Sequence, residues 1–167
     1  VELVRAAMAD ELNAEQIEET IAFFATDLGA KIIQLENTAR IAVREQDVED
    51  AARARYAELA SGDDPRLAMV VELVDAGDMI SRYVTSAMNS NFQFMRGMAD
   101  GDGLEMSEDQ MLSDITGDMG EITDDTTSWL MGFFLLAFHP LEDEELQAYI
   151  DFYRSPTGQA LNRAYFD

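Results

Sequence analysis

Cysteine is absent from this chain of 167 residues, and lysine and histidine occur only once each, as Lys31 and His139. Without cysteine the chain can form neither a disulfide nor a thiolate metal site. A di-iron site in a helical bundle needs two Glu-x-x-His motifs, and a single histidine excludes it. We therefore expect no metal and no cofactor.

Basic charge is also scarce. The chain has 11 basic and 34 acidic residues, for a formal net charge of −23. Nucleic acids and anionic membrane surfaces attract proteins that present a basic surface. The composition therefore predicts that neither is a partner, and it leaves a protein partner and the oligomeric state open.

No apolar run is long enough to cross a bilayer. The longest, Trp129–Phe138, has ten residues, whereas a spanning helix needs about 20. The run predicts a buried core helix rather than a transmembrane segment. The chain starts at Val1 without a recognisable signal peptide, so we expect a processed or trimmed product.

Helical signals recur along the chain, whereas strand signals are scarce. Capping pairs mark helix starts at Asn13 with Gln16 and at Ser107 with Gln110, and Asp64-Pro65 places a cap before a proline. Asp47 is expected to open a further helix. The pattern predicts an all-α, multi-helix bundle.

The two ends of the chain resemble each other. A shift of 129 positions aligns residues 12–32, LNAEQIEETIAFFATDLGAKI, with residues 141–161, LEDEELQAYIDFYRSPTGQAL, without a gap. We interpret this as a duplication, with one helical half over residues 1–64 and the other over 65–167. The identical pairs are Leu12/Leu141, Glu15/Glu144, Ile21/Ile150, Phe23/Phe152 and Gly29/Gly158.

The shared motif predicts a corner between two helices. The residue before a proline favours extended backbone, which is also the geometry of an N-cap. Ser155 is thus expected to cap a helix that starts at Pro156, where a missing N–H costs nothing, and Gly158 to allow close backbone approach. Thr26 and Gly29 take these places in the first copy. Phe24 and Tyr153 are expected to be largely buried, so that Phe24→Ala would cost about 3–5 kcal/mol.

The second copy resembles a known family. Its Phe152, Tyr153, Ser155, Pro156 and Gly158 match the Phe-Tyr-x-Ser-Pro-x-Gly signature of bacterial domain-of-unknown-function family 2059. The first copy has Phe23, Phe24 and Gly29, with Thr26-Asp27 in place of Ser-Pro. The resemblance implies an α-helical, exported or periplasmic protein, and it brings no established activity.

Three patterns could carry chemistry, and each has a simpler structural interpretation. Ser128 and His139 could belong to a hydrolase, but no nucleophile elbow surrounds Ser128. Asp100–Gly103 with Glu105 has acidic residues but not the spacing of an EF-hand loop. The acidic residues 142–145 are expected to stabilise the start of a helix.

The segment MNSNFQFMRGM, residues 88–98, is the best candidate for a ligand or partner surface. Methionine and phenylalanine alternate with amides, so every face of the helix carries an apolar group. We expect burial with hydrogen-bonded amides, and the alternative is an adaptable methionine-rich binding stripe. The candidate surface consists of Met88, Asn91, Phe92, Met95 and Met98.

These observations lead to one functional expectation and two alternatives. The expectation is a non-enzymatic interaction domain or envelope-associated accessory domain. The alternatives are a carrier of small apolar ligands, with a pocket under helix 88–98, and a hydrolase of unrecognised type. If the duplication is complete, about 65 residues upstream and 25 downstream complete the two copies.

Overall fold

The chain is almost entirely helical. The computed structural model describes residues 8–101, 103 and 106–166, which contain no strand. The predicted all-α fold is confirmed. Residues 8–11 are helical, and nine helices follow: α1 (Ala14–Phe24), α2 (Asp27–Ala42), α3 (Gln46–Leu59), α4 (Pro65–Ala76), α5 (Met79–Asp100), α6 (Glu108–Gly117), α7 (Met119–Phe138), α8 (Asp143–Arg154) and α9 (Pro156–Phe166).

The chain divides into two compact units. The first combines Val1–Asp78 with Ser128–Asp167, and the second is Met79–Thr127. The division predicted from the repeat, at 64/65, concerns ancestry and falls inside the first unit. It stays a prediction.

Side-chain caps start several helices where the sequence predicted them. Asn13 accepts a hydrogen bond from the Gln16 backbone N–H at 3.0 Å and starts α1. Asp64 accepts from the Leu67 N–H at 2.9 Å and starts α4, with Pro65 at its first position. Asp47 is not a cap, because α3 begins one residue earlier, at Gln46.

Asp78 separates α4 from α5. Its φ is 49°, in the left-handed region that usually falls to glycine after a helix but is open to aspartate. The backbone N–H of Asp78 donates to the Asp75 carbonyl at 3.0 Å and closes the end of α4. The chain therefore turns between α4 and α5 at this residue.

The longest apolar run forms the core of the first unit. Trp129 stacks on Phe133 and Phe134 on Phe138, with ring centroids 5.3 Å apart in each pair. Gly132 meets α3, since a Cβ there would lie 2.9 Å from the Ala52 carbonyl carbon and oxygen. The predicted core helix is confirmed. No helix among the described residues combines the length and apolar character that a membrane span requires.

Helix α4 packs against α8 in the same unit. Its Val70, Leu73 and Val74 are at most 1% exposed, and Leu146 and Ile150 of α8 are fully buried. Both helices therefore turn their apolar stripes into the core.

The second unit contains α5, α6 and the first part of α7. α5 packs against α6, and Met111 and Ile115 of α6 are buried. The unit also carries exposed apolar side chains, which include Phe94, Met98, Leu112 and Met119.

Candidate functional site

The two predicted corners have the same geometry. Helices α1 and α2 meet at Thr26, with φ −72° and ψ 161°, and α8 and α9 meet at Ser155, with φ −68° and ψ 155°. Each hydroxyl accepts a 3.0 Å hydrogen bond from the backbone N–H of the glycine three residues on, Gly29 or Gly158. The two segments thus share a helix, a corner and a second helix, as predicted. Their origin by duplication stays a prediction.

Glycine is required at both corners because the second helix touches the end of the first. A Cβ on Gly29 would lie 2.3 Å from the Phe23 carbonyl oxygen, and one on Gly158 would lie 2.0 Å from that of Phe152. Both distances are far inside van der Waals contact. The motif glycines therefore have a structural role.

The motif aromatics join the two corners. Phe23 and Phe152 occupy equivalent positions and stack on each other, with ring centroids 4.2 Å apart and planes at 15°. Phe24 packs edge-on against Phe152 at 5.5 Å. Phe24 and Tyr153 are each mostly buried but keep some exposure, so the predicted burial of both rings holds in part.

Polar contacts between the corners are also reciprocal. From α1, Gln16 Nε2 donates to the Pro156 carbonyl at 3.4 Å. At the position equivalent to Gln16, Glu145 of α8 accepts from Lys31 Nζ at 2.6 Å. Each corner thus contacts the beginning of the other's second helix, which gives the pair an approximate two-fold arrangement.

A half-buried acid, Glu36, and a buried phenol, Tyr149, lie in the interface between the corners. The Tyr149 hydroxyl donates to Glu36 Oε1 at 3.0 Å. Burial raises the pKa of Glu36, although the hydrogen bond from Tyr149 and the charge of Arg40 act in the opposite direction. Burial also raises the pKa of Tyr149 well above its ordinary value. By contrast, the hydrogen bond from Lys31 lowers the pKa of Glu145. Glu36 and Tyr149 are therefore held in their neutral forms to higher pH than usual.

An apolar groove of about 430 Å³, here called the α1 groove, lies beside the first corner. Ile21 is 62% exposed and Tyr165 is 69% exposed at its rim. Its floor includes Leu12, which packs with Leu161 of α9. The groove therefore presents apolar side chains to solvent along one face of α1. It is lined by Met8, Ala9, Leu12, Ile17, Thr20, Ile21, Phe24, Leu161 and Tyr165.

The matching face of the second copy is covered. Ile17 and Ile21 of α1 are 39% and 62% exposed, whereas their equivalents Leu146 and Ile150 of α8 are fully buried. Helix α4 packs against α8. The incomplete burial of Phe24 has the same cause. Phe24 continues the stripe of Ile17 and Ile21, and no helix among the described residues covers that stripe.

A second groove, of about 680 Å³, lies between α3 and the end of α7. Most of its exposed lining is apolar, with Val48, Leu135 and Leu136 among the lining residues, but charged side chains and His139 also line it. The charged residues are Asp47, Arg55, Asp64 and Arg66. The sequence did not single out this groove, because its lining comes from segments about 90 residues apart.

The predicted surface on residues 88–98 is not buried. Met88, Phe92 and Met95 are half-buried, Asn91 is exposed, and Met98 is 39% exposed. The expected burial of this helix with hydrogen-bonded amides is therefore wrong. Neither groove described above is lined by these residues.

The chemical candidates are not brought together as a reactive site. Ser128 lies in α7 and His139 directly follows its end. Eleven residues of helix separate them by roughly 16 Å, which excludes a hydrogen bond. The acidic loop prediction at 100–105 includes residues 102, 104 and 105, which lie outside the described part. The described residues hold no group of three or more His, Asp or Glu positioned for a metal.

The acidic segment at the start of α8 has the predicted capping role. The Glu142 backbone N–H donates to Glu145 Oε2 at 2.9 Å, and the equivalent Asn13 N–H donates to Gln16 Oε1 at 3.0 Å. Glu145 thus caps the helix and pairs with Lys31, and Asp143 pairs with Arg66.

Comparison with known families supports the resemblance. Residues 1–58 match the family model described as "Uncharacterized protein conserved in bacteria (DUF2059)". The match agrees with the suspected family over about a third of the chain, which contains the first corner. The motif Phe152–Gly158, on which the resemblance was drawn, lies outside the matched residues and stays a prediction. No curated protein and no solved structure gives a significant match.

Proposed function

We propose that this protein is a non-enzymatic interaction domain of the bacterial envelope that binds a partner protein through the α1 groove. One observation carries the proposal: Ile17 and Ile21 are exposed on α1, whereas their equivalents on α8 are buried. Clusters of exposed apolar side chains in a concave surface are typical of protein interaction sites.

The surroundings of the groove favour a protein over a small polar ligand. The lining side chains are apolar except for Thr20 and the hydroxyl of Tyr165. Thr20 already donates its hydroxyl to the Gln16 carbonyl at 2.8 Å. Such a lining offers few groups to orient a polar substrate, but it fits the apolar face of a helix.

The envelope location follows from the family resemblance, which implies an exported, periplasmic protein. The family match supports the bacterial part of this proposal. That the chain is not an enzyme belongs to the same proposal, which assigns the function to the α1 groove, where Thr20 and Tyr165 are the polar side chains of the lining.

Site-specific photocrosslinking tests the proposal. A photoreactive amino acid replaces Ile21, and the variant is incubated with envelope and cytosolic fractions of the bacterium that encodes the protein. We expect a discrete adduct from the envelope fraction, with the crosslinked partner peptide identified by mass spectrometry.

Ile41 provides the matched control. It is 65% exposed, close to the 62% of Ile21, and lies outside the groove. The same photoreactive residue at 41 should give no such adduct. Equal adducts from both positions, or none from position 21, would contradict the proposal.

A second candidate is a carrier of small apolar ligands, favoured by the size of the groove beside His139. Its volume of about 680 Å³ lies within the range of about 300–1,000 Å³ that is usual for ligand pockets. A fluorescent fatty acid should then bind the wild type, and Leu136→Asp should abolish binding. Loss of binding in Ile21→Asp instead would assign the ligand to the α1 groove.

A further inference from the structure

In the second copy α4 covers the apolar face of α8, and this packing indicates what kind of element the exposed face of α1 can bind. Helix α4 packs along α8, and Arg66 pairs with Asp143 at the start of α8 at 2.8 Å. Glu72 pairs with Arg154 at the end of α8 at 3.1 Å. The two helices therefore run side by side in the same direction.

The C-terminal end of α4 is held by α9. The side-chain amides of Gln159 and Asn162 donate to the backbone carbonyls of Ala76 and Gly77. Helix α4 is thus seated on the second corner as a whole, from the beginning of α8 into α9.

Each polar anchor of this seat has an apolar counterpart in the first copy. The shift of 129 positions places Ala14 at Asp143, Ala25 at Arg154, Ala30 at Gln159 and Ile33 at Asn162. Ile33 is 44% exposed. Where the second copy makes a polar contact with α4, the first copy has an apolar side chain. The first copy is therefore suited to a helix that binds through apolar contacts.

We infer that the exposed face of α1 and the start of α2, which bears Ile17, Ile21 and Ile33, binds a partner's amphipathic helix that has the apolar spacing of α4, namely Leu67, Val70, Leu73 and Val74, and that runs parallel to α1. This face shares Ile17 and Ile21 with the α1 groove. The inference rests on the proposed function and names the chemistry of the partner. The two corners are related by an approximate two-fold axis near the Phe23–Phe152 stack. The same rotation, applied to α4 on α8, gives the position of a partner helix on α1.

The electrostatics of such a complex follow from composition. The chain has a formal net charge of −23, and an α4-type helix is also acidic. Long-range charge repulsion then opposes association, and salt screens it. Binding is therefore expected to be unchanged or tighter at higher salt, whereas an electrostatic complex would weaken.

A helical peptide tests the inference. The probe is residues 64–77 with a hydrocarbon staple joining positions 68 and 72, both of which are exposed in α4. Binding to the full chain is measured by fluorescence anisotropy and by isoleucine methyl shifts. We expect saturable binding, shifts at Ile17 and Ile21, and an affinity that salt does not reduce.

Matched variants locate the binding. Ile21→Asn should weaken binding by at least about tenfold because it places an amide in an apolar contact. Ile41→Asn, at a similarly exposed position outside the groove, should leave binding unchanged. A probe with Val70→Asn and Val74→Asn should not bind.

The outcomes separate this inference from the proposed function. Absence of peptide binding, or equal loss in both protein variants, would overturn the inference, even if crosslinking at position 21 identifies an envelope partner. Peptide binding without an envelope adduct would support the helix seat and contradict the partner protein. An adduct within the same polypeptide would overturn the assignment to a partner.

Discussion

Single residues at the corners have roles that their chemical type explains. Thr26 and Ser155 supply the hydroxyl that an N-cap needs, and Gly29 and Gly158 supply the absence of a Cβ. These roles could be predicted from sequence because they depend on backbone geometry within about six residues of the chain.

Gly158→Ala is expected to destabilise the fold by about 1–3 kcal/mol, because the added methyl group would overlap the Phe152 carbonyl oxygen and force the corner open. Gly97→Ala is the matched control. A Cβ on Gly97 meets nothing within 4 Å, so alanine should stabilise α5 by about 0.5–1 kcal/mol. Urea denaturation of both variants measures the difference. Equal effects of the two substitutions would contradict the tight corner.

Glu36 is expected to make stability fall as pH rises. Its pKa is raised above its ordinary value of 4.5 by burial, so the folded state binds the proton more tightly than the unfolded state. Glu36→Gln keeps an acceptor for Tyr149 without the charge. The variant should be more stable than wild type at pH 7, and the gap should close as pH falls towards 4.5.

Glu145→Gln is expected to change the stability at pH 7 in the opposite direction. The pKa of Glu145 is lowered by its hydrogen bond from Lys31, so its contribution is present at neutral pH and is lost on acidification. This variant should be less stable than wild type at pH 7, and its gap should also close at low pH. Chemical denaturation between pH 3 and pH 7 checks both signs, because the gap for Glu145→Gln closes below pH 4.5. If the stability difference between Glu36→Gln and wild type did not change with pH, the claim that burial raises the pKa of Glu36 would be wrong.

At the scale of the helices, the sequence predicted which face is apolar but not what covers it. The spacing of Ile17, Ile21 and Phe24 matches that of Leu146, Ile150 and Tyr153, so periodicity predicted the same burial for both stripes. Burial depends on a neighbouring helix, and α4 packs against α8. Periodicity contains no information about that neighbour.

A pair of equivalent substitutions tests this difference. Ile150→Ala should cost about 2–5 kcal/mol because it leaves a cavity in the core. Ile21→Ala should change stability by no more than about 0.5 kcal/mol, because that side chain is 62% exposed. The free energies of unfolding are obtained from urea titrations. Similar losses at both positions would show that α1 is covered.

The incomplete burial of Phe24 also revises the expected cost of its truncation. Phe24→Ala removes edge-on contacts with Phe23 and Phe152, but it leaves a space that is open to solvent on one side. A loss below the full range of about 3–5 kcal/mol for a buried phenylalanine is therefore expected.

At the scale of the whole molecule, composition and capping signals were enough to predict the all-α fold. Helix content depends on local patterns that the sequence displays directly, such as Asn13 with Gln16 and Asp64 with Pro65. The grooves could not be predicted in this way. Leu161 and Tyr165 reach the α1 groove only because α9 packs against α1, more than 100 residues away along the chain.

The surface on residues 88–98 shows the same limit. The alternation of Met, Phe and amides in α5 was interpreted as burial, yet Phe94 is 69% exposed. Helical spacing separates the half-buried Met88, Phe92 and Met95 from the exposed Phe94, but it contains no information about how completely a neighbouring helix covers that stripe.

The proposed binding surface depends on the difference in exposure between two equivalent apolar stripes. The most direct measurement is the paramagnetic broadening of isoleucine methyl signals by a soluble gadolinium chelate. Ile41, which is 65% exposed, and Ile32, which is fully buried, set the two reference levels. We expect the methyl signal of Ile21 to broaden as much as the signal of Ile41. The methyl signal of Ile150 should stay as sharp as the signal of Ile32. Equal protection of Ile21 and Ile150 would contradict this difference in exposure.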